Sequence, residues 1–153
     1  MKFIEDSIVI NASVERVWTI LTRLEDYPDW NPFIRRAQGR IAEGERLRLL
    51  LKIPDGLPMR IRPRLLKVIP GEEIRWRGSL GVRGLFDGEH RFLLDPETPD
   101  VTRFTQEEEF RGMLVPLVGG MVAGGARRGF QAMNHALKIR AETSIRLEVS
   151  RSL

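Results

Sequence analysis

The stretch Leu24-Glu25-Asp26-Tyr27-Pro28-Asp29-Trp30-Asn31-Pro32-Phe33 decides how the rest of this 153-residue chain is read. It predicts a helical turn or two around Leu24 to Trp30, stopped by Pro32, because the residue before a proline is pushed out of the helical region. The helix before it is amphipathic. Ser13 suits an N-cap, Glu15 suits the positive end of the helix dipole, and Val14, Val17, Trp18 and Leu21 recur at i, i+3, i+4 and i+7. Upstream, Phe3, Ile4, Ile8, Val9 and Ile10 have the aromatic and β-branched content of a strand that Asn11 and Ala12 end.

Downstream the pattern becomes strand-like over Phe33 to Ile41, Arg46 to Ile53, Met59 to Ile69, Glu73 to Ser79, Phe86 to Leu94 and Val101 to Arg111. Turn-forming groups separate these runs: Glu43-Gly44, Pro54-Asp55-Gly56, Pro70-Gly71, Gly81 to Gly84 and Asp95 to Asp100. Such short connections imply an antiparallel meander. Alternation puts Leu47, Leu49, Leu51 and Ile53 with Ile74 and Trp76 on an apolar face, and Arg46, Arg48, Arg75 and Arg77 on the other. Met59, Ile61, Pro63 and Leu65 oppose Arg60, Arg62 and Arg64, and the run Leu65-Leu66 breaks the phase as a bulge does.

From about Gly119 the period is helical, with Val118, Val122, Ala126, Phe130, Met133, Leu137 and Ala141 on one stripe and Arg127, Gln131, Asn134, His135 and Lys138 mostly off it. Five glycines, Gly119, Gly120, Gly124, Gly125 and Gly129, crowd the start of this helix. Each interior glycine costs a helix about 1 kcal/mol relative to alanine, so they mark either a flexible lid or close packing against the sheet. After Glu142 the alternation of Ile145, Leu147 and Val149 is weak and fits a strand, a fraying end or a disordered tail.

Composition narrows the class. The length suits one domain that buries its own core. With no cysteine, disulfide stapling, thiol catalysis and thiolate metal sites are excluded. Glu5 and Asp6 interrupt the apolar core that a signal peptide needs, and the reading is a cytoplasmic protein with no stable membrane insertion. The net charge of +4 comes mostly from arginine. The arginine face is a solvated sheet surface or a site for an acidic partner, and it lacks the interleaved aromatics of a single-strand nucleic-acid binder. With His90 and His135 the only histidines, no metal site is expected. The glycine pairs lack the context of a nucleotide-binding loop, and no Gly-x-Ser-x-Gly elbow occurs.

If the strand of Phe86 to Leu94 pairs with Val101 to Arg111, then His90, Phe92 and Leu94 share a face with Phe104, Gln106, Glu108 and Phe110, with His90 close to Gln106. Polar groups on an apolar face need partners, since leaving one bare costs about 1–3 kcal/mol. His90 and Glu108 are therefore either a general acid/base pair or a mutually satisfied structural pair. Asn31 offers its amide to a ligand or caps the turn before Pro32. Tyr27, Trp30 and Trp76 read as core or cavity wall, and Tyr27, the one tyrosine, adds a hydroxyl.

The order of elements resembles the START-like helix-grip superfamily, also called SRPBCC, in its bacterial polyketide cyclase/dehydrase and lipid-transport branch. The resemblance rests on Ala12 with Val17-Trp18, Tyr27 with Trp30-Asn31-Pro32-Phe33, Pro63, Ile74 with Trp76, Gly88, His90, Phe92, Thr102 through Gly112, and Phe130 with Met133-Asn134. It implies an α+β fold in which a curved antiparallel sheet of about seven strands wraps a long C-terminal helix, with two short helices after the first strand. It also implies one domain over residues 1–145, a tail over 146–153, and an internal cavity for a hydrophobic molecule such as a lipid, polyketide-like or aromatic compound. The expected ligand-facing set is Tyr27, Trp30, Asn31, Trp76, Phe92, Phe104, Gln106, Phe110, Val122 and Phe130. The competing enzyme reading makes His90 and Glu108 catalytic in cyclisation or dehydration. No cofactor is implied, and a homodimer and an acidic protein partner are both compatible with the pattern.

Overall fold

The computed structural model describes residues 1–153 apart from the side chains of 144–148, so the readings of Ile145 and Leu147 lie outside the described side chains. The order is β1 (Lys2–Ile10), α1 (Val14–Thr22), a 3-10 turn (Leu24–Asp26), α2 (Tyr27–Trp30), β2 (Ile34–Gln38), β3 (Arg48–Leu51), β4 (Met59–Ile61), β5 (Arg64–Ile69), β6 (Glu73–Ser79), β7 (Asp87–Thr98), β8 (Val101–Arg111) and α3 (Val115–Ser152). This is the expected α+β helix-grip architecture, with two short helices following the first strand.

The sheet is divided. Strands β1-β8-β7-β6-β5 form one antiparallel sheet, and β2-β3-β4 form a second. The single strand expected over Met59 to Ile69 breaks at Arg62-Pro63, where Pro63 has no N–H to give a ladder. Backbone bonds from Leu47 N to Pro63 O (2.9 Å) and from Leu65 N to Glu45 O (2.8 Å) still tie the approach to β3 onto β5, so the two sheets curve around one interior. The irregularity expected near Leu65-Leu66 is present as a register shift between Leu65 and Lys67.

Local signals explain the helices. Ser13 Oγ accepts a hydrogen bond from Arg16 N at 3.2 Å and starts α1, which buries Val17 and Leu21. On α3 the stripe Ala126, Phe130, Met133, Leu137 and Ala141 is buried against the sheet, as the period predicts. The helix starts at Val115 rather than near Gly119, with Pro116 in its first turn, where a missing N–H costs nothing. Asn134 corrects the face assignment: it lies off the apolar stripe in sequence but is fully buried. Its Nδ2 donates to Asp6 Oδ2 at 2.8 Å, and its Oδ1 accepts from Gln106 Nε2 at 2.7 Å. This amide bridges α3 to β1 and β8.

Four of the five glycines of α3 divide into two kinds, while a Cβ on Gly119 would stand 3.0 Å from Val115 of the same helix. A Cβ on Gly125 would come within 2.8 Å of Ile53 Cδ1, and one on Gly129 within 2.4 Å of the Phe33 ring, so these two are bare because side chains pack on them. A Cβ on Gly120 would meet nothing, and one on Gly124 would only reach ordinary contact with Arg128 at 3.7 Å. Packing thus accounts for Gly125 and Gly129 but gives no reason for Gly120 and Gly124.

Candidate functional site: an apolar cavity with a histidine–glutamate pair in its wall

The two sheets and the first half of α3 enclose a cavity of about 410 Å³, a size suited to a small organic ligand. The small sheet supplies Leu51, Met59 and Ile61, and the large sheet supplies Trp76, Glu108 and Phe110. Met121, Val122, Ala126 and Phe130 close it from α3. Strand pleat explains why these side chains meet: Leu49 pairs with Ile61 and Leu51 with Met59, so alternate residues of β3 and β4 project inward. The lining is apolar apart from the charged groups Asp55, Glu108 and Arg128 and the hydroxyl of Ser79.

Glu108 is the charged group placed on the sheet wall. The register sets His90 directly across from Glu108, and Phe92, not His90, across from Gln106. The closeness of His90 to Gln106 expected from sequence is therefore corrected by two residues. It fails because β7 runs on to Thr98 and turns at Pro99-Asp100, where the sequence pattern placed a longer loop. His90 Nδ1 and Glu108 Oε2 are 2.5 Å apart, and with the carboxylate as acceptor Nδ1 carries the hydrogen. The imidazole is 2% exposed and stacks on Trp76 at 4.9 Å with planes 13° apart. Phe92 and Phe130 meet it edge-on at 4.7 and 5.0 Å. His90 Nε2 is buried without a hydrogen-bond partner among the described residues. Glu108 reaches the cavity surface, whereas His90 stands behind it.

Gly88 makes room for this arrangement. A Cβ there would lie 2.3 Å from Glu108 Oε1, so any larger residue would push the carboxylate off its position. The sequence pattern singled out Gly88 only as part of a resemblance; its physical role appears once the register is known.

The remaining expected site residues separate by location. Trp76, Phe110, Val122 and Phe130 line the cavity with Glu108, whereas Tyr27, Trp30, Asn31, Phe92, Phe104 and Gln106 do not. Tyr27 is core: its hydroxyl donates to Leu21 O at 2.6 Å, and burial pushes its phenol well above the usual range. Asn31 caps the turn before β2, its Oδ1 accepting from Phe33 N at 2.9 Å and Ile34 N at 2.8 Å. Trp30 packs edge-on against Tyr27 and lines a separate surface groove with Arg16 and Arg140. Phe92 and Phe104 are buried core, and Gln106 belongs to the Asn134 bridge. Leu51, Ile53, Met59, Ile61, Phe86 and Met121 were not singled out as ligand-facing, although alternation had already put Leu51 and Ile53 on the apolar face.

The outer sheet face is less basic than its arginines suggest. Arg77 pairs with Glu89 at 2.9 Å, Arg75 with Glu73 at 2.6 Å and Arg91 with Glu107 at 3.4 Å, which neutralises β6–β8. Glu73 shows the consequence: burial alone would raise its carboxyl, but hydrogen bonds from Arg75 and Lys67 hold it below the ordinary glutamate value. Among the described residues no cluster of potential metal ligands occurs, and no helix is long and apolar enough to cross a membrane.

Comparison with known proteins agrees with this fold. A START superfamily protein from Mycobacterium smegmatis is 26% identical, with 92% of this chain and 97% of that one aligned at a TM-score of 0.74. The Zhui aromatase/cyclase from Streptomyces sp. R1128 shares the fold at 18% identity, covering 94% and 95% of the two chains with a TM-score of 0.75. Norcoclaurine synthase from Thalictrum flavum, solved with dopamine and hydroxybenzaldehyde, shares it at 17% identity, 90% and 84% coverage and a TM-score of 0.67. No curated protein matches the chain. Residues 1–142 match the family model described as polyketide cyclase / dehydrase and lipid transport, and the chain belongs to that family.

Proposed function

We propose that this protein binds a small to medium apolar molecule, of lipid, polyketide-like or aromatic type, in the cavity between its sheets and α3. The observation that carries the reading is the lining itself, a space of about 410 Å³ walled mainly by apolar side chains with one carboxylate set into the sheet. Burying apolar ligand surface there contributes about 25 cal/mol per Å² before the costs of association. Glu108 gives direction: an ionised carboxylate only accepts hydrogen bonds, so it selects a ligand hydroxyl or ammonium at that wall. Residues 1–145 act as the binding domain, and the absence of cysteine supports a cytoplasmic setting. Titration with 1-N-phenylnaphthylamine tests the reading. Saturable fluorescence enhancement, competed by an apolar molecule that copurifies and is identified by native mass spectrometry, supports it, and no enhancement argues against it.

A second reading is favoured by the short His90–Glu108 contact beside the cavity. In it Glu108 takes or returns a ligand proton during cyclisation or dehydration, and the His90 Nδ1–H bond orients the carboxylate and stabilises its charge. Glu108→Gln retains the shape and removes the base. Turnover lost in this variant while probe binding persists supports catalysis, and turnover unchanged in it leaves binding alone.

A further inference from the structure

The outer face of the small sheet carries a grid of arginines. Leu49 pairs with Ile61 and Arg46 bridges to Arg64, so one register runs through β3, β4 and the start of β5 and sets Arg48 across from Arg62. Leu50 lies between Arg36 of β2 and Arg60 of β4, and Arg48 lies beside Gln38. Arg64 in turn faces Arg77 on β6, which joins the grid to the large sheet. These arginines are all exposed, whereas Leu47, Leu49 and Pro63 between them are buried, so the guanidinium side is the solvent side of the pleat.

The two halves of the outer face differ in what answers this charge. On the large sheet Arg77 has Glu89 and Arg75 has Glu73. On the small sheet Arg36, Arg48, Arg60 and Arg62 reach no carboxylate among the described residues, and neither do Arg46 and Arg64 beside them. The acids nearest in the chain are engaged elsewhere, Glu45 with Arg40 at 2.7 Å and Glu43 with the Val68 N–H at 3.2 Å. Glu25, which shares a surface groove with Arg36, lies 3.8 Å from Arg23. Like charges directly opposite each other weaken a sheet, and here Arg46 opposes Arg64 and Arg48 opposes Arg62. An array that costs stability and that its own chain leaves unneutralised calls for an anion from outside.

We infer that this face docks an extended acidic segment of a partner protein, with carboxylates at alternate positions along it. Shape and pattern choose that occupant. The sheets curve around the interior, so the face is convex; a planar bilayer or a rigid duplex touches only part of it, whereas an extended chain follows the curve. Alternate side chains of an extended chain recur about 6.8 Å apart, the same repeat as Arg60, Arg62 and Arg64 along β4 and β5. Guanidinium forks match carboxylates in geometry as well as charge. Half-buried Leu50, between Arg36 and Arg60, and exposed Leu66, two positions beyond Arg64, add apolar contact that a peptide side chain can use and a phosphate backbone cannot. The inference goes beyond the ligand-binding reading and does not rest on it, because the cavity lies on the opposite side of these strands.

Binding of a fluorescein-labelled peptide with glutamate at alternate positions and one central leucine tests it, beside a short RNA duplex and phosphatidylglycerol vesicles. Arg48→Gln with Arg62→Gln removes charge from the grid, and Arg103→Gln with Arg111→Gln removes as much from arginines already paired with Glu97 and Glu109. The expected result is saturable peptide binding that weakens at high salt, falls roughly tenfold in the grid variant and stays within about twofold of the parent in the other. The grid variant should also melt no lower than the parent and bind phenylnaphthylamine as before, since it relieves like-charge repulsion on a solvent face. Absence of peptide binding, an equal loss in the two double variants, or a lower Tm in the grid variant overturns the inference. Tighter binding of the duplex or of the vesicles than of the peptide overturns it in favour of a nucleic acid or a membrane surface.

Discussion

Replacing the two unpacked glycines of α3 by alanine, Gly120→Ala with Gly124→Ala, should stabilise the protein, whereas Gly129→Ala should destabilise it. Each glycine-to-alanine change within a helix is worth about 1 kcal/mol in the helix's favour. At Gly120 the new Cβ meets nothing within 4 Å, and at Gly124 only Arg128 at 3.7 Å, so the full gain of about 2 kcal/mol is available to the double variant. At Gly129 the Cβ would stand 2.4 Å from the Phe33 ring, itself packed edge-on against Phe130 at 5.7 Å. Overpacking of that kind costs roughly 1–3 kcal/mol, which cancels or exceeds the propensity gain and leaves a net loss of up to ~2 kcal/mol. For a chain of this size one kcal/mol moves Tm by about 2–4 °C, so thermal unfolding followed by circular dichroism separates the variants easily. Hydrogen exchange over residues 115–125 adds the local readout, with slower exchange in the double alanine variant. If both variants shift Tm in the same direction, the division of the glycines into packed and unpacked is wrong.

Other expectations follow from the site and the surface. Gly88→Ala should weaken binding of a hydroxylated apolar ligand far more than of its deoxy analogue, because the Cβ displaces Glu108 Oε1; calorimetric affinities of the matched pair measure this. His90→Phe should cost about 1–3 kcal/mol by leaving Glu108 without its partner, and the added change Glu108→Leu should restore part of the loss in urea unfolding. The carboxyls of Glu73 and Asp87 are held below their ordinary values in the folded state, Glu73 by Arg75 and Lys67 against burial and Asp87 mainly by the Ser79 hydroxyl. A depressed folded value gives stability that is complete above the unfolded value and fades as pH falls through the folded one. Unfolding free energy should therefore decline below about pH 4.5, and Glu73→Gln should flatten that decline.

The fold was legible where a local signal has only one physical outcome. Ser13 caps, Pro32 stops, and the spacing of Ala126, Phe130, Met133 and Leu137 fits one helix face against a sheet. Alternation likewise placed Leu47, Leu49 and Trp76 inward. The split of the sheet at Pro63 was not legible, because residues on both sides keep strand chemistry and only the missing N–H marks the break. Register was the hardest quantity. Extending β7 through Pro96 to Thr98 moves its partners by two positions, enough to exchange Gln106 for Glu108 opposite His90 while leaving every residue on its expected face. Burial pattern cannot detect such a shift. The cavity was less legible still. Tyr27, Trp30 and Asn31 carry polar atoms that look available to a ligand, yet the Tyr27 hydroxyl and the Asn31 Oδ1 are taken by nearby backbone groups, while cavity-forming Ile53, Met59 and Ile61 look in sequence like any strand core.

Isothermal titration of an apolar ligand into the parent protein and into Ala126→Trp addresses the central claim most directly, since Ala126 lines the cavity and an indole there fills it. The account predicts one ligand per chain with a negative heat-capacity change for the parent, and binding abolished in a variant that stays folded. Equal affinity in the two proteins would place the ligand elsewhere and contradict it.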